Sequence, residues 1–324
     1  MPSKNAAKFK VTITKDGFVH YDFEDQVMDP VLRIIRGMMV GSATGPIAPL
    51  FPRPGGKRGV PADEVCRRLG TVNRYYEPFF GGGAVFFNRQ APWGTEIIND
   101  KDCHLVNVFR AVKSNPQAVA DALVGVRAQV ELQAKAAKLR AEEDGTLAKL
   151  KSDPDWYDVE LAAWWLAGTC NSRFPTFPRQ KHPTMGLRSG QGIYSRDLRN
   201  HLEQHISWMS HRLQNVPVLC EDYNNVLALI PDRSHRRDDL TGLLLDPPYD
   251  GHAEVYGAGE VALAVRDWAV EHGTRRDLRI ALCGYEGLEM PSSWAEFRWT
   301  ARIGKNRHRE RIWFSPACLP GGAS

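Results

Sequence analysis

Two hydrophobic periods alternate along the chain. Short apolar runs that stop at glycine, proline or aspartate read as buried strands, and stretches with apolar residues three and four apart read as helices. The strand candidates after residue 70 are YYEPFF, IIN, VPVLC, GLLLD and RIALCG, and the chain closes with FRWTARIG and ERIWFSP around a basic turn. The helical candidates include PADEVCRRLG, closed by Gly70, and the stretch after Asp100, with Leu105, Val108, Phe109 and Val112 on one face. ELAAWWLAGTC (160–170), DLRNHLEQHISWMSHRL (197–213) and AVRDWAVEHG follow the same period.

Three stretches differ. VTITKDGFVHYDF alternates like a hairpin around a Lys-Asp-Gly turn, and VLRIIRGMMV behind it is short and apolar, so residues 1–45 form an N-terminal extension. VRAQVELQAKAAKLRAEEDGTLAKLKSD is rich in Ala, Lys and Glu and predicts a surface helical hairpin broken at its Asp-Gly pair, its charges a solvated face. NSRFPTFPRQKHPTMGLRSGQGIYSR (171–196) is long, basic, aromatic and broken by proline and glycine, and loops of that length in a compact chain are usually functional or disordered. Strands alternating with helices on both sides of 116–215 predict an α/β fold whose mostly parallel sheet carries one insertion.

Composition narrows the class. The 324 residues are 43% hydrophobic and 25% charged, which is ordinary for a soluble globular protein. A net charge of +4 and a pI near 8.7 permit nucleic-acid binding without requiring it. The six cysteines contain no C-x-x-C pair, so neither a zinc site nor a disulfide framework is expected, and reduced thiols are. No stretch approaches the ~20 apolar residues of a membrane span, and MPSKNAAKFKVTITKDG lacks the apolar core of a signal peptide. An intracellular protein is expected.

Chemistry concentrates at two strand ends. EPFFGGGAVFF sets three glycines between a strand and a helix, where a ligand can touch bare backbone, and ligands of open parallel sheets lie at the carboxyl ends of strands. The pattern is not G-x-x-x-x-G-K-[ST], which disfavours a nucleoside triphosphate. Asp100 ends the next strand, about twenty residues on, where an acid can take ribose hydroxyls. NAD and S-adenosylmethionine both fit so far. LLLDPPYDGH (243–252) separates them. The proline pair fixes two φ angles and turns the chain rigidly. Asp246 and the Pro247 carbonyl can then accept two hydrogen bonds from one amino group while Tyr249 stacks on its ring. That makes a receptor for the exocyclic amine of a nucleobase, which a dehydrogenase does not need.

On four blocks in this order, PGGKR (54–58), EPFFGGGAVFF (77–87), INDKDCHLVNVFRAVK (98–113) and LCEDYNNVL…LLLDPPY (219–249), the chain resembles the Dam-type DNA adenine-N6 methyltransferases across roughly residues 50–318. The resemblance implies a Rossmann-like methyltransferase sheet with a C-terminal antiparallel hairpin. Residues 46–115 and 216–318 would form the catalytic domain, and 116–215 an inserted, mainly helical target-recognition region. It implies S-adenosylmethionine as cofactor: Gly56 and Lys57 at the methionine carboxylate, the turn from Glu77 through Phe79, Gly81 and Gly83, Asp100 on the ribose, and Asp222 on the cofactor's adenine. Asp246, Pro247, Pro248 and Tyr249 would hold the target adenine, flipped out of the duplex, with Asp246 also near the cofactor. One departure is Arg53, four places before the lysine, where the family usually has an aromatic residue, so a more polar pocket is expected there.

Double-stranded DNA is the implied partner. Between Ser172 and Leu213 seven cations (Arg173, Arg179, Lys181, Arg188, Arg196, Arg199, Arg212) face two acids, with Phe174, Phe177 and Tyr194 interleaved. Basic and aromatic residues together suit backbone contacts and base wedging. A second basic run, Arg298, Arg302, Lys305, Arg307, Arg309 and Arg311, has only Glu310 opposing it and is expected along the phosphate backbone. Arg233, Arg236 and Arg237 read as a surface turn. His201 and His205 lack a third metal ligand, and Trp164, Trp165 and Trp208 follow core spacing. D-P-P-Y also occurs in RNA methylases, so an RNA base-amine methyltransferase is the second reading and a binder with a decayed cofactor site the third. No metal, no membrane, a monomer in solution and a cytoplasmic setting (the host cell's, for a phage enzyme) complete the expectation.

Overall fold

The apolar runs become the middle of a seven-stranded sheet. In this computed structural model the described residues are 9–13, 19–23, 49–51, 56–89, 94–123, 126, 128–173, 176–186, 192–194, 201–232, 239–248, 258–300 and 309–320. The chain divides into two units, Met1–Thr44 and Gly45–Ser324. In the first, β1 (Phe9–Ile13) pairs antiparallel with β2 (Val19–Phe23), Val11 opposite Tyr21, as the alternation predicts. The Lys-Asp-Gly turn and VLRIIRGMMV lie outside the described residues.

The second unit holds β3 (Arg74–Glu77), β4 (Thr95–Asn99), β5 (Val218–Leu219), β6 (Thr241–Leu245), β7 (Leu278–Tyr285), β8 (Ala295–Arg298) and β9 (Glu310–Phe314), in the order β5-β4-β3-β6-β7-β9-β8. The strands from β5 to β7 run parallel, while β9 is antiparallel to both β7 and β8. This is the expected mostly parallel, Rossmann-like sheet with a closing hairpin. Its central strands are buried on both faces, which explains the unbroken leucines of GLLLD. Leu243 and Leu245 pack with Val265, Ile280 and Trp313, whereas Leu244 packs on the other side with Ala281, Ile312 and Phe314. The chain winds outward from β3 through β4 to β5, then returns to β6 on the far side of β3. That reversal is a switch point between β3 and β6, and open α/β sheets bind ligands in the crevice outside the carboxyl ends of such strands.

Helices cover the sheet. α1 (Val60–Leu69) starts with Pro61 in its first turn and is closed by Gly70, whose N–H returns to the Cys66 carbonyl. The glycine turn leads into α2 (Ala84–Asn88). α3 (Cys103–Ser114) is capped by Asp102, which accepts from the His104 and Leu105 amides, and it buries Leu105, Val108, Phe109 and Val112 as predicted. Between α3 and β5 lie α4 (Pro116–Ala122), α5 (Gln129–Ala141), α6 (Glu143–Ser152), α7 (Val159–Asn171) and α8 (Leu202–Leu213); α9 (Tyr223–Leu227) and α10 (Ala258–His272) belong to the β5–β6 and β6–β7 crossovers.

Two expectations for the insertion need correction. Gly145 does not break a helix; it lies inside α6, and the break falls at Glu142. Nor is the stretch a surface hairpin, because Leu132, Ala136, Leu139 and Leu150 are buried in the main core. Those four positions make a narrow stripe that the surrounding Lys and Glu residues hide in the sequence. The tryptophans are core as their spacing indicates: Trp165 sits edge-on to Phe51 at 4.9 Å and Trp208 packs against Phe87 at 5.8 Å.

Candidate active site

The glycine turn is fastened at both ends. Gly81 and Gly83 have φ of 54° and 67°, a left-handed backbone that side chains disfavour. The Gly81 amide donates to Asp100 Oδ2 at 2.9 Å, and Asp100 Oδ1 accepts from the Asp102 amide at 3.0 Å. Asp100 thus holds the turn after β3 against the start of α3. Asn99 makes a second tie: its amide donates to the Pro78 and Glu221 carbonyls, and its oxygen accepts from the Glu221 amide. Three strand ends are locked together by adjacent residues, of which sequence reasoning singled out only Asp100. Beyond them Asp222 caps α9 by accepting from the Asn224 amide, with Lys101 Nζ 3.9 Å away, and the Phe79 ring lies 5.3 Å from the Tyr223 ring.

A charged cluster fills the other end of the crevice. β6 delivers Asp246, and the Lys57 ammonium donates to its Oδ1 at 2.8 Å. Lys57 is 3% exposed against 23% for the Asp246 side chain, and Glu310 Oε2 is 3.9 Å from the same ammonium. Burial works against the charged lysine, but the Asp246 and Glu310 carboxylates outweigh it and hold the ammonium's pKa above the usual lysine value. Glu77, buried at the end of β3, accepts from the Tyr75 hydroxyl at 2.8 Å. Its desolvation, with Asp246 nearby and the hydrogen bond from Tyr75 opposing, pushes its pKa up to about 8, so it is protonated near neutrality. Cys283 of β7 faces the same Asp246 carboxylate, and burial drives its thiol pKa well above normal. Pro247 is buried and Pro248 exposed, Gly56 is exposed, and Arg53 and Tyr249 lie outside the described residues.

Residues 54–257 match the family described as D12 class N6 adenine-specific DNA methyltransferase. The chain belongs to that family. Over 91 residues it is 32% identical to the type II methyltransferase M1.LlaDCHI of Lactococcus lactis subsp. cremoris, a match covering 28% of this chain and 29% of that protein.

The basic segments of the chain separate into two kinds. In the loop after α7, Arg179 and Lys181 are exposed while Phe177, Pro178 and Pro183 are buried. The loop is mounted on the insertion. Arg140 of α5 donates to the Pro178 and Gln180 carbonyls at 2.6 and 2.7 Å. Gln129 donates to the Pro183 carbonyl and accepts from the Met185 amide. The Phe177 ring lies so close to Gly168 of α7 that a β-carbon there would meet it at 2.1 Å. Arg173 is exposed, its amide donating to the Thr184 carbonyl. Tyr194 packs against the main core with its hydroxyl buried.

Two cations of these runs, Arg212 and Arg311, are buried in ion pairs. Arg212 pairs with the buried Glu96 through both terminal nitrogens and stacks on Phe86 at 3.8 Å, so it is not a surface charge. Arg311 is likewise buried, paired with Glu286 and Glu296, and Arg309 and Arg298 take the same two acids. The second basic run therefore meets more acids than Glu310. The neighbouring strand positions hid them, since their pairing depends on hairpin register. Phe174, Arg188, Arg196, Arg199, Arg302, Lys305, Arg307 and the Arg233, Arg236, Arg237 turn lie outside the described residues. The His205 ring stacks on Trp208, no group of potential metal ligands occurs among the described residues, and no described helix is long and apolar enough to cross a membrane.

Proposed function

We propose that the chain moves a methyl group from S-adenosylmethionine to the N6 amine of an adenine flipped out of double-stranded DNA. The observation that carries this reading is that the glycine turn and Asp246 follow neighbouring parallel strands, β3 and β6, with Lys57 bound to Asp246 at 2.8 Å. A nucleoside with an amino-acid tail fits the donor set. Gly81 and Gly83 offer a turn without side chains, Asp100 an acid for ribose hydroxyls, and Phe79 and Asp222 an aromatic face and an acceptor for a purine amine. Gly56, Lys57 and the Glu77 end of β3 line the opposite end, where a carboxylate needs a cation.

When bound, the cofactor supplies an activated sulfonium methyl. The protein's part is to aim the amine. N6–H bonds to Asp246 and the Pro247 carbonyl favour a pyramidal nitrogen with a free lone pair, and the carboxylate stabilises the positive charge that grows there. Pro248 stiffens the turn, and Tyr249 is assigned to the face of the flipped ring. Flipping costs a few kcal/mol and such stacking returns about 1–3 kcal/mol. The rest comes from the recognition region, residues 116–215, and from the second basic run. Arg173, Phe174, Arg179, Lys181, Arg188 and Tyr194 are assigned to the first contact and Lys305, Arg307 and Arg309 to the second.

The likeness to a type II methyltransferase supports a modification role, with the chain acting as a monomer wherever its DNA lies, in the cytoplasm of its own or a host cell. Incubation with labelled S-adenosylmethionine and duplex DNA or structured RNA, followed by nucleoside analysis, tests the reading. N6-methyladenine in DNA alone is expected. Label in RNA, or in cytosine or guanine, overturns it.

A further inference from the structure

Lys57 faces one carboxylate more than its charge requires. Asp246 Oδ1 lies 2.8 Å from its ammonium and Glu310 Oε2 lies 3.9 Å away, with Lys57 and Glu310 side chains only 3% and 4% exposed. Glu310 begins β9 opposite Tyr285 of β7. Its neighbour Arg311 pairs with Glu286 and Glu296. A buried carboxylate is costly unless it compensates something. Glu77 does not serve Lys57 in its place, because it accepts from Tyr75 and is protonated near neutrality, and the Cys283 thiol is neutral.

The two carboxylates differ in what else they can do. The Asp246 side chain is 23% exposed, while Glu310 is buried beside Lys57. We infer that Glu310 is a positioning residue that keeps the Lys57 ammonium in place and charged while Asp246 turns its lone pairs to the target amine. Asp246 Oδ1 already accepts from the Lys57 ammonium, so an Asp246 carboxylate that also accepts from N6–H is shared between the two donors. With Glu310, the lysine keeps a counter-charge through the transfer. This rests on the assignment of Asp246 to the target amine given above.

Single-turnover methylation of duplex DNA at saturating S-adenosylmethionine, with calorimetric titration of S-adenosylhomocysteine, tests the idea in Glu310→Gln and Glu310→Asp, each made in the wild-type and Lys57→Met backgrounds. In the wild-type background Glu310→Gln should slow transfer about tenfold or more, with Glu310→Asp between the two and homocysteine-nucleoside affinity within about threefold of wild type. In the Lys57→Met background either change should cost less than about threefold, because no ammonium remains to hold. If the glutamine variant does not fold, the aspartate variant carries the same comparison. An unchanged rate in the wild-type background, or the same loss in both backgrounds, overturns the inference. A wild-type protein that binds neither sulfur nucleoside or methylates no adenine instead overturns the reading of the site on which it rests.

Discussion

The crevice and the loop after α7 handle positive charge in opposite ways. In the crevice, Lys57 is almost fully buried and fixed by carboxylates from two strands. On the loop, Arg179 and Lys181 are exposed, and what is fixed is the backbone beneath them, through Arg140 and Gln129. A buried cation held by ion pairs keeps one position to within a bond length, as chemistry at a single atom needs. Exposed cations on a mounted loop keep freedom of the side chain, which suits contact with a regular row of phosphates. Arg212 is the warning case: it falls in the same sequence tally as Arg179 yet belongs with the buried kind.

That contrast can be broken by substitution. Arg212→Met should have the largest effect on folding, about 3–5 kcal/mol in urea denaturation, because it removes the bidentate partner of the buried Glu96 and leaves it Arg89 at 3.7 Å as its ion-pair partner among the described residues. It should leave the salt dependence of DNA binding unchanged. Asp246→Ala should slow single-turnover methyl transfer at least about a hundredfold, on the order of 3 kcal/mol, with some loss of cofactor affinity. Neutralising Arg173, Arg179 and Lys181 together should do the reverse of Arg212→Met. Stability should hold, while the slope of log binding constant against log salt falls by roughly 2–3, as measured by fluorescence anisotropy over a salt series. Asp100→Ala should weaken cofactor binding by about 1.5–3 kcal/mol in calorimetry.

The last test is a pH profile. Glu77 has its pKa raised from 4.5 to about 8, so the unfolded chain gives up its proton first. Its contribution to stability is complete below the unfolded pKa and is lost as pH rises through the folded one. Glu77→Gln keeps an oxygen for the Tyr75 hydroxyl but cannot titrate. Thermal denaturation should show a flatter profile for the variant between the two pKa values and greater stability at the alkaline end. The wild-type slope there is at most about 1.4 kcal/mol per pH unit.

Much of the architecture was legible because burial on both faces leaves a strong mark: the run GLLLD could be little other than a central strand, and the acid after it had to sit at a strand end. The glycine turn and Asp100 were legible for a similar reason, since backbone geometry restricts which residues can stand there. The remainder depended on partners far apart in sequence. Glu310 stood out as the lone acid in a basic run, but only the register of β9 against β7 brings it to Lys57. Arg212 looked like any other cation until β4 supplied Glu96. The buried stripe of α5 and α6 was masked by the charges around it.

Arg140 has a consequence for how this protein can diverge. It grips the loop through the carbonyl oxygens of Pro178 and Gln180, and Gln129 does the same at Pro183. Every residue type supplies a carbonyl, so the mount does not read what the exposed positions carry. Side chains at 179, 181 and 182 can therefore be exchanged while the loop keeps its path, and under the proposed DNA-contacting role a changed sequence preference needs no redesign of the scaffold beneath it. A library randomised at Arg179, Lys181 and His182, with Arg140 and Gln129 held constant, is a compact place to look for new targets.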